Sequence, residues 1–282
     1  MAFTFALWNV EHFKDNPGRM KIVADELKAA HPAGKEIDVF GILEVETLNI
    51  VNLITEHFPN YDFHLTDGPQ VQEILIGVKR GRFSQKVFTQ KREFKAGNEF
   101  LRPGHLVALR EMSNDKWTQM LFLHTDSGVD ASGFGNRYKM FESVAKMRKA
   151  LAKQAQDLDR LIVLGDLNTM GLHYPKRSKV VVTGSEEIAE LAKFTSLSLA
   201  SKDVDATWKD ANRRIKDSNL DHVLHSPGLA LADLGIGTPK SLFANSPVKI
   251  HTAGWPKKSG AIQDDFVRNI SDHAILVGET VD

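Results

Sequence analysis

Carboxylates, amides and imidazoles stand where apolar runs stop. Asn9 follows FTFALW, Glu44 follows DVFGIL, His124 follows MLFL, and Asp166 and Asn168 follow LIVLG. Two acid–imidazole pairs stand instead just ahead of apolar runs: Asp221 and His222 precede VL, and Asp272 and His273 precede AILV. In a layered α/β protein, side chains at strand ends converge on one rim, where sites are commonly built. Antiparallel strands entering that rim would bring the two pairs beside the other groups. Oxygen ligands in a chain without cysteine point to a hard cation. Mg²⁺ is the first choice and Mn²⁺ or Ca²⁺ the alternatives, with Glu44 the natural ligand. Such an ion neutralises phosphoryl charge and orients an attacking oxygen.

The elements that must hold these groups are legible as short apolar runs: Phe3–Trp8, Ile37–Leu43, Ile74–Val78, Leu106–Leu109, Met120–Leu123, Leu161–Leu164 and Ala274–Val277. Between them, Met20, Val23, Ala24 and Leu27 predict one helical face, and Met140, Val144, Met147 and Leu151 another. Ser185 before Glu186 and Glu187 reads as an N-cap with an acidic first turn. Phe63 to Trp117 reads as successive strands without a helix. That argues against a doubly wound sheet and for packed sheets with helices outside, an α/β fold. Asp126–Asn136 and Asn245–Asp265, rich in Gly, Ser, Pro and Asp, read as long surface loops. No linker or repeat interrupts residues 1–282, which read as one domain.

Composition narrows the function further. Lys+Arg and Asp+Glu are both 36, so no global basic field draws in nucleic acid. A local basic rim would still serve a nuclease. The absence of cysteine excludes disulfides and thiolate metal sites. MAFTFALWNVEHF has no basic start and reads as a first strand rather than a signal peptide. No apolar stretch reaches the length of a membrane span, so a cytoplasmic location is expected, and no protein partner is evident. There is no G-x-x-x-x-G-K-[ST], H-E-x-x-H or G-x-S-x-G pattern.

The segments WNVEHF, ILEVE, LHTDSG, LGDLNT, NLDHVL and ISDHAIL also occur in the order found in the endonuclease/exonuclease/phosphatase superfamily, which the chain resembles from Asn9 to His273. Each motif alone is weak; six in order are specific. The resemblance implies a four-layer α/β sandwich, two mixed β-sheets packed face to face with helices outside, and metal-dependent phosphoester hydrolysis. It implies that Asn9 and Glu44 hold or position the metal and that Asp272 is a further metal or water contact. Asp166 would orient or deprotonate the attacking water, and Asn168 would position phosphate oxygens. His273, with Asp221 turned towards it, would contact phosphate or move a proton. His124 matches the deoxyribonuclease and sphingomyelinase branches, with Glu73 at the place of its supporting glutamate. Arg102 in FLRPG resembles an arginine near the cleft that could bind a phosphate oxygen. Three places depart from the pattern: His222 stands where an aromatic residue is common, and the stretches MGLHYPKRSK and Ala244–Asp265 match no branch.

Simpler roles compete for some of these residues. Asn9 alone would be a turn residue, GDLNT an Asx turn, and Glu73 a solvated strand start. His222 reads as a satisfied core histidine, and His12, His57, His64 and His105 as structural. The basic clusters PKRSK (175–179) and KDANRRIK (209–216) read as solvated loops or as contacts to a polyanion, and Trp208 first as a core tryptophan, with stacking on a base the alternative. The substrate expected first is a nucleic-acid phosphodiester such as DNA, the alternative a small-molecule or lipid phosphoester.

Overall fold

The first strand, β1 (Thr4–Phe13), is buried at nearly every position because both of its faces are covered. Phe5 and Leu7 point to one side and Ala6, Trp8 and Val10 to the other, the two-residue period of a strand. The computed structural model describes residues 2–68, 72–154, 159–173, 179–234 and 247–281. After β1 come α1 (Pro17–Ala29), β2 (Val39–Val45), α2 (Asn49–His57), β3 (Tyr61–Leu65), β4 (Glu73–Lys79), β5 (Phe83–Lys91), β6 (Gly104–Glu111) and β7 (Trp117–His124). Then follow α3 (Ala131–Gln154), β8 (Leu161–Asp166), β9 (Leu172–His173), β10 (Val180–Val182), α4 (Gly184–Thr195), β11 (Ser198–Leu199), β12 (Asp221–His225), β13 (Ile250–Ala253), α5 (Gly260–Asn269) and β14 (Ile275–Glu279).

Two mixed sheets form, in the orders β13-β14-β1-β2-β4-β3 and β11-β12-β8-β7-β6-β5. Phe5, Leu7, Leu43 and Ile76 of the first sheet meet Val107, Met120, Phe122, Ile162 and Val223 of the second in one apolar layer between them. The outer face of the first sheet is covered by Met20 and Leu27 of α1, Ile50 and Ile54 of α2 and Phe266 of α5. The outer face of the second is covered by Met140, Phe141 and Val144 of α3 and Ile188 and Leu191 of α4. This is the four-layer sandwich. A side chain at Gly41 would collide with the Phe122 ring at 2.3 Å, so the glycine sets how closely the sheets approach. Each Leu, Ile or Phe so buried contributes about 1.5–3 kcal/mol.

Three local expectations are corrected. α4 is capped by Thr183, not Ser185, because Thr183 has Glu186 three residues on and closes a capping box. Half of the expected loop Asp126–Asn136 is the start of α3: the Asp130 carboxylate accepts from the Gly133 amide at 2.9 Å, and Gly133 lets the helix press against the Ser127 carbonyl. The fully buried Arg137 then ties this turn to Glu187 of α4 at 2.7 Å and to the Gly128 carbonyl at 2.8 Å. Finally, the described part of Asn245–Asp265 contains β13 and the first turns of α5. Ile250 and Thr252 are buried there, and β13 pairs with β14. No helix among the described residues is long and apolar enough to cross a membrane.

Asp203 fastens β13 from below. Burial alone would raise its carboxyl, but hydrogen bonds from His251 (2.7 Å), Thr252 and Lys257 (3.0 Å) outweigh this and bring it down to about 2. A carboxylate depressed on folding stabilises above its unfolded pKa, and the gain is lost as pH falls through the folded value. Asp203→Asn is therefore expected to cost about 2 kcal/mol at pH 7. In urea denaturation the gap from the parent should be constant down to about pH 4 and narrow below it. A pH-independent gap would show that packing, not charge, is responsible.

Candidate active site

The rim where the sheets meet gathers the polar groups. β1 and β2 are parallel and put Asn9 level with Leu43, next to Glu44. β7 and β8 are parallel and put His124 level with Asp166, and β12, antiparallel to β8, puts Asp221 opposite Asp166. β8 reaches this register only because position 165 is glycine, since a Cβ there would lie 2.0 Å from the Leu123 carbonyl oxygen. Asn9 links the two sheets. Its amide nitrogen donates to Glu44 Oε1 at 3.0 Å and to Asp166 Oδ2 at 3.1 Å, and its oxygen accepts from the Glu11 amide at 3.0 Å. His124 Nε2 lies 3.7 Å from Glu44 Oε1 and 3.6 Å from Asp166 Oδ2. His273 Nδ1 bonds Asp221 Oδ2 at 2.8 Å, leaving Nε2 at 3.7 Å from Asp166 Oδ2. Asn168 takes a left-handed backbone (φ 43°), and its side chain donates to the Thr125 carbonyl at 3.2 Å.

Glu44, His124, Asp166, Asn168 and His273 line a cleft of about 370 Å³, and the buried Asn9 and Asp221 hold Glu44, Asp166 and His273 by hydrogen bonds. Burial pushes the Asp166 carboxyl up, and Asp221 and Glu44 add to the effect against His273 and Asn9. Burial and the neighbouring Arg102 and His273 hold the His124 imidazole well below its ordinary value, so the ring is neutral. Burial works against a charge on His273 too, but Asp221, Asp166 and Asp272 outweigh it and hold the ring well above its ordinary value. The cleft thus sets a neutral and a cationic imidazole around one buried carboxyl, an arrangement suited to proton transfer.

Arg102 lines the same cleft. It makes no ion pair among the described residues, and its Nε is buried without a partner, leaving the guanidinium available to an anion. The oxygen donors fit a hard cation. Glu44, His124 and Asp166 offer ligand atoms within 4.8 Å of one another, and Asp272 Oδ1 is buried with no hydrogen-bond partner among the described residues. Asp272 Oδ2 is held by the Trp208 indole at 2.6 Å.

Among the described residues no hydrogen bond or ion pair joins Glu73 to His124: its carboxylate accepts the Thr66 hydroxyl, and His124 Nδ1 has no hydrogen-bond partner. Residues that the sequence left out of the site also line the cleft, among them Glu11, His12, Gln72 and Trp208. His12 and Gln72 both bond Glu44 Oε2, the first through its backbone amide at 3.0 Å and the second through its side chain at 3.2 Å. Trp208 is accordingly a cleft residue, not a core one. His222 is buried and satisfied, with Nε2 2.9 Å from the Thr169 hydroxyl. In the cluster 209–216, Arg213 pairs with Asp264 at 2.6 Å and Lys209 with Asp217 at 3.2 Å. Residues 175–178 of the other basic cluster lie outside the described residues.

The sequence profile of the Endonuclease/Exonuclease/phosphatase family matches residues 6–273. No curated protein matches by sequence. Among solved structures, the chain is similar to an endonuclease/exonuclease/phosphatase from Bacteroides vulgatus (TM-score 0.66, 13% identity, covering 100% of this chain and 99% of that one). It is similar to D. rerio TDP2 complexed with single-strand DNA product (0.63, 13%, 100% and 99%). It is also similar to a Bacteroides thetaiotaomicron mannosyl-6-phosphatase (0.65, 15%, 99% and 100%).

Proposed function

Because this chain belongs to the endonuclease/exonuclease/phosphatase family and is a phosphoester hydrolase, we propose that it cleaves nucleic-acid phosphodiesters with Mg²⁺, residues 1–282 acting as one domain. The observation that carries this reading is the mixed lining of the cleft. Asp166, Asn168, His124, His273 and Arg102, which has no ion pair among the described residues, line it together with the apolar Met170, Trp208, Ile215 and Leu220. A phosphoryl group suits the first set and a nucleobase the second.

In this reading Asp166 receives the proton of the attacking water. His273, oriented by Asp221, faces the carboxyl and stabilises the charge exchanged there. Asn168, neutral His124 and Arg102 hold phosphoryl oxygens. Glu44 and Asp272 would hold the cation, with Glu11 in the same wall. Both ends of the Asn9 amide are already used on its neighbours, so it positions the carboxylates. When bound, the ion supplies charge neutralisation at the phosphoryl group.

A second reading, a small phosphoester such as a sugar phosphate, draws on the zero net charge and on the ion pairs that occupy Arg213 and Lys209. Purified protein, supercoiled plasmid and a single-stranded oligonucleotide separate the two. Cleavage in Mg²⁺ that EDTA abolishes and that weakens steeply with salt is expected for the first. Hydrolysis of a sugar phosphate with both nucleic acids left intact would replace it with the second.

A further inference from the structure

Behind the Asp221–His273 pair lies a lysine that takes no part in the chemistry above. Lys202 is 2% exposed, and burial pulls its amine down to about 7 against the opposing pull of Asp221. No carboxylate lies within ion-pair reach of the nitrogen among the described residues. It donates instead to the Asn219 side-chain oxygen and to the Asp221 backbone carbonyl, and it sits 3.4 Å from His222 Nδ1. In either protonation state it has the two protons these two oxygens need.

Putting an amine so deep is costly, and an apolar side chain of the same length would fill the space without that cost. What the amine supplies is direction. The segment 219–221 carries Asp221 into β12, and it is gripped from two sides. The Thr207 hydroxyl accepts the amides of Leu220 (3.0 Å) and Asp221 (2.9 Å), while Lys202 binds the carbonyl of Asp221 and the side chain of Asn219. The same amine contacts the ring of His222, whose Nε2 lies 2.9 Å from the hydroxyl of Thr169, the neighbour of Asn168. Asp221, the partner of His273, and the cleft residue Asn168 are thus both reached from one buried nitrogen.

We propose that Lys202 is a positioning residue that fixes Asp221 towards His273 and, through His222 and Thr169, steadies the loop carrying Asn168. The proposal rests on the assignment of Asp221, His273 and Asn168 to the active site. Its test is steady-state hydrolysis of bis(p-nitrophenyl) phosphate by Lys202→Met, Lys202→Arg and Asp221→Asn, beside the NMR resonance of the His273 Nδ1 proton. Lys202→Met is expected to lower kcat about 10- to 100-fold, the usual effect of displacing a catalytic group by about 1 Å. KM should stay within about twofold, the Nδ1 proton resonance should shift or vanish while the melting transition persists, and Lys202→Arg should restore part of kcat. A folded Lys202→Met with the parent's kcat and resonance would overturn the proposal while Asp221→Asn remained impaired. Parental kcat in Asp221→Asn would overturn the active-site assignment, and the proposal with it. If Lys202→Met does not fold, Asn219→Ala decides, since it removes one acceptor only: a several-fold loss of kcat supports the positioning role, and an unchanged kcat overturns it.

Discussion

Asp166→Ala is expected to lower kcat by about three orders of magnitude or more, within the range that a positioned acid–base group contributes. The protein should remain folded and melt within a few degrees of the parent. Both halves of the expectation come from the same burial. The carboxylate is 2% exposed and its pKa is raised, so its charge is held in the cleft at a cost to stability. Removing it leaves no orphaned cation, because His273 keeps Asp221 at 2.8 Å, and Asn9 keeps Glu44 at 3.0 Å. The Asn168 amide does lose its acceptor, Asp166 Oδ1, at 3.1 Å. Asp166→Asn, which keeps an acceptor there, separates the loss of chemistry from a shifted Asn168 loop. If the alanine variant alone is inactive, Asp166 serves the loop; if both are, the carboxylate does the chemistry. Parental turnover in both would remove Asp166 from the site.

How far this site was readable before the fold was known depended on whether a residue's place follows from strand period. Asn9, Glu44, His124 and Asp166 end apolar runs, and strand ends in parallel neighbours must share a rim, so their meeting was predictable. The partners Asp221 and His273 were reachable by the same argument run backwards from strand starts. Glu11 and His12 were not. Two successive left-handed residues, φ 44° and 49°, turn the end of β1 into the cleft, and no glycine announces the turn. Arg19 holds it instead, donating to the carbonyls of Glu11 at 2.7 Å and Ile270 at 2.6 Å, a bond across the sequence that no local pattern encodes. Gln72 and Trp208 arrive through loops, as does the indole contact to Asp272. The helix starts erred for a similar reason. Gly133 reads as a loop residue, yet it is there because α3 presses on a backbone carbonyl. Nothing in the sequence around Lys202 announces its burial, where it forms a parallel bridge to Ile250 of β13, remote in the chain.

Glu44→Gln is expected to weaken Mg²⁺ binding by about 10- to 100-fold, the cost usual for disturbing a ligand or its supports. The substitution conserves volume, so the loss comes from the negative charge taken from the ligand and from hydrogen-bond polarity. Glu44 Oε1 accepts from Asn9, and Oε2 accepts from the His12 amide and the Gln72 side chain. A carboxylate receives all three, whereas an amide turns its NH₂ group towards one set of donors whichever way it is flipped. The misfit falls on a residue already held at φ 62°, where little freedom remains to relieve it. Calorimetric Mg²⁺ titration reads the affinity directly, and the Mg²⁺ dependence of hydrolysis reads its consequence. If Glu44 is a ligand, the two should move together and high Mg²⁺ should recover much of the rate. If affinity is unchanged while kcat falls, Glu44 acts by orienting Asn9 and Asp166, and Asp272 with Glu11 becomes the cation's holding pair. An unchanged affinity with an unchanged rate would remove Glu44 from both roles.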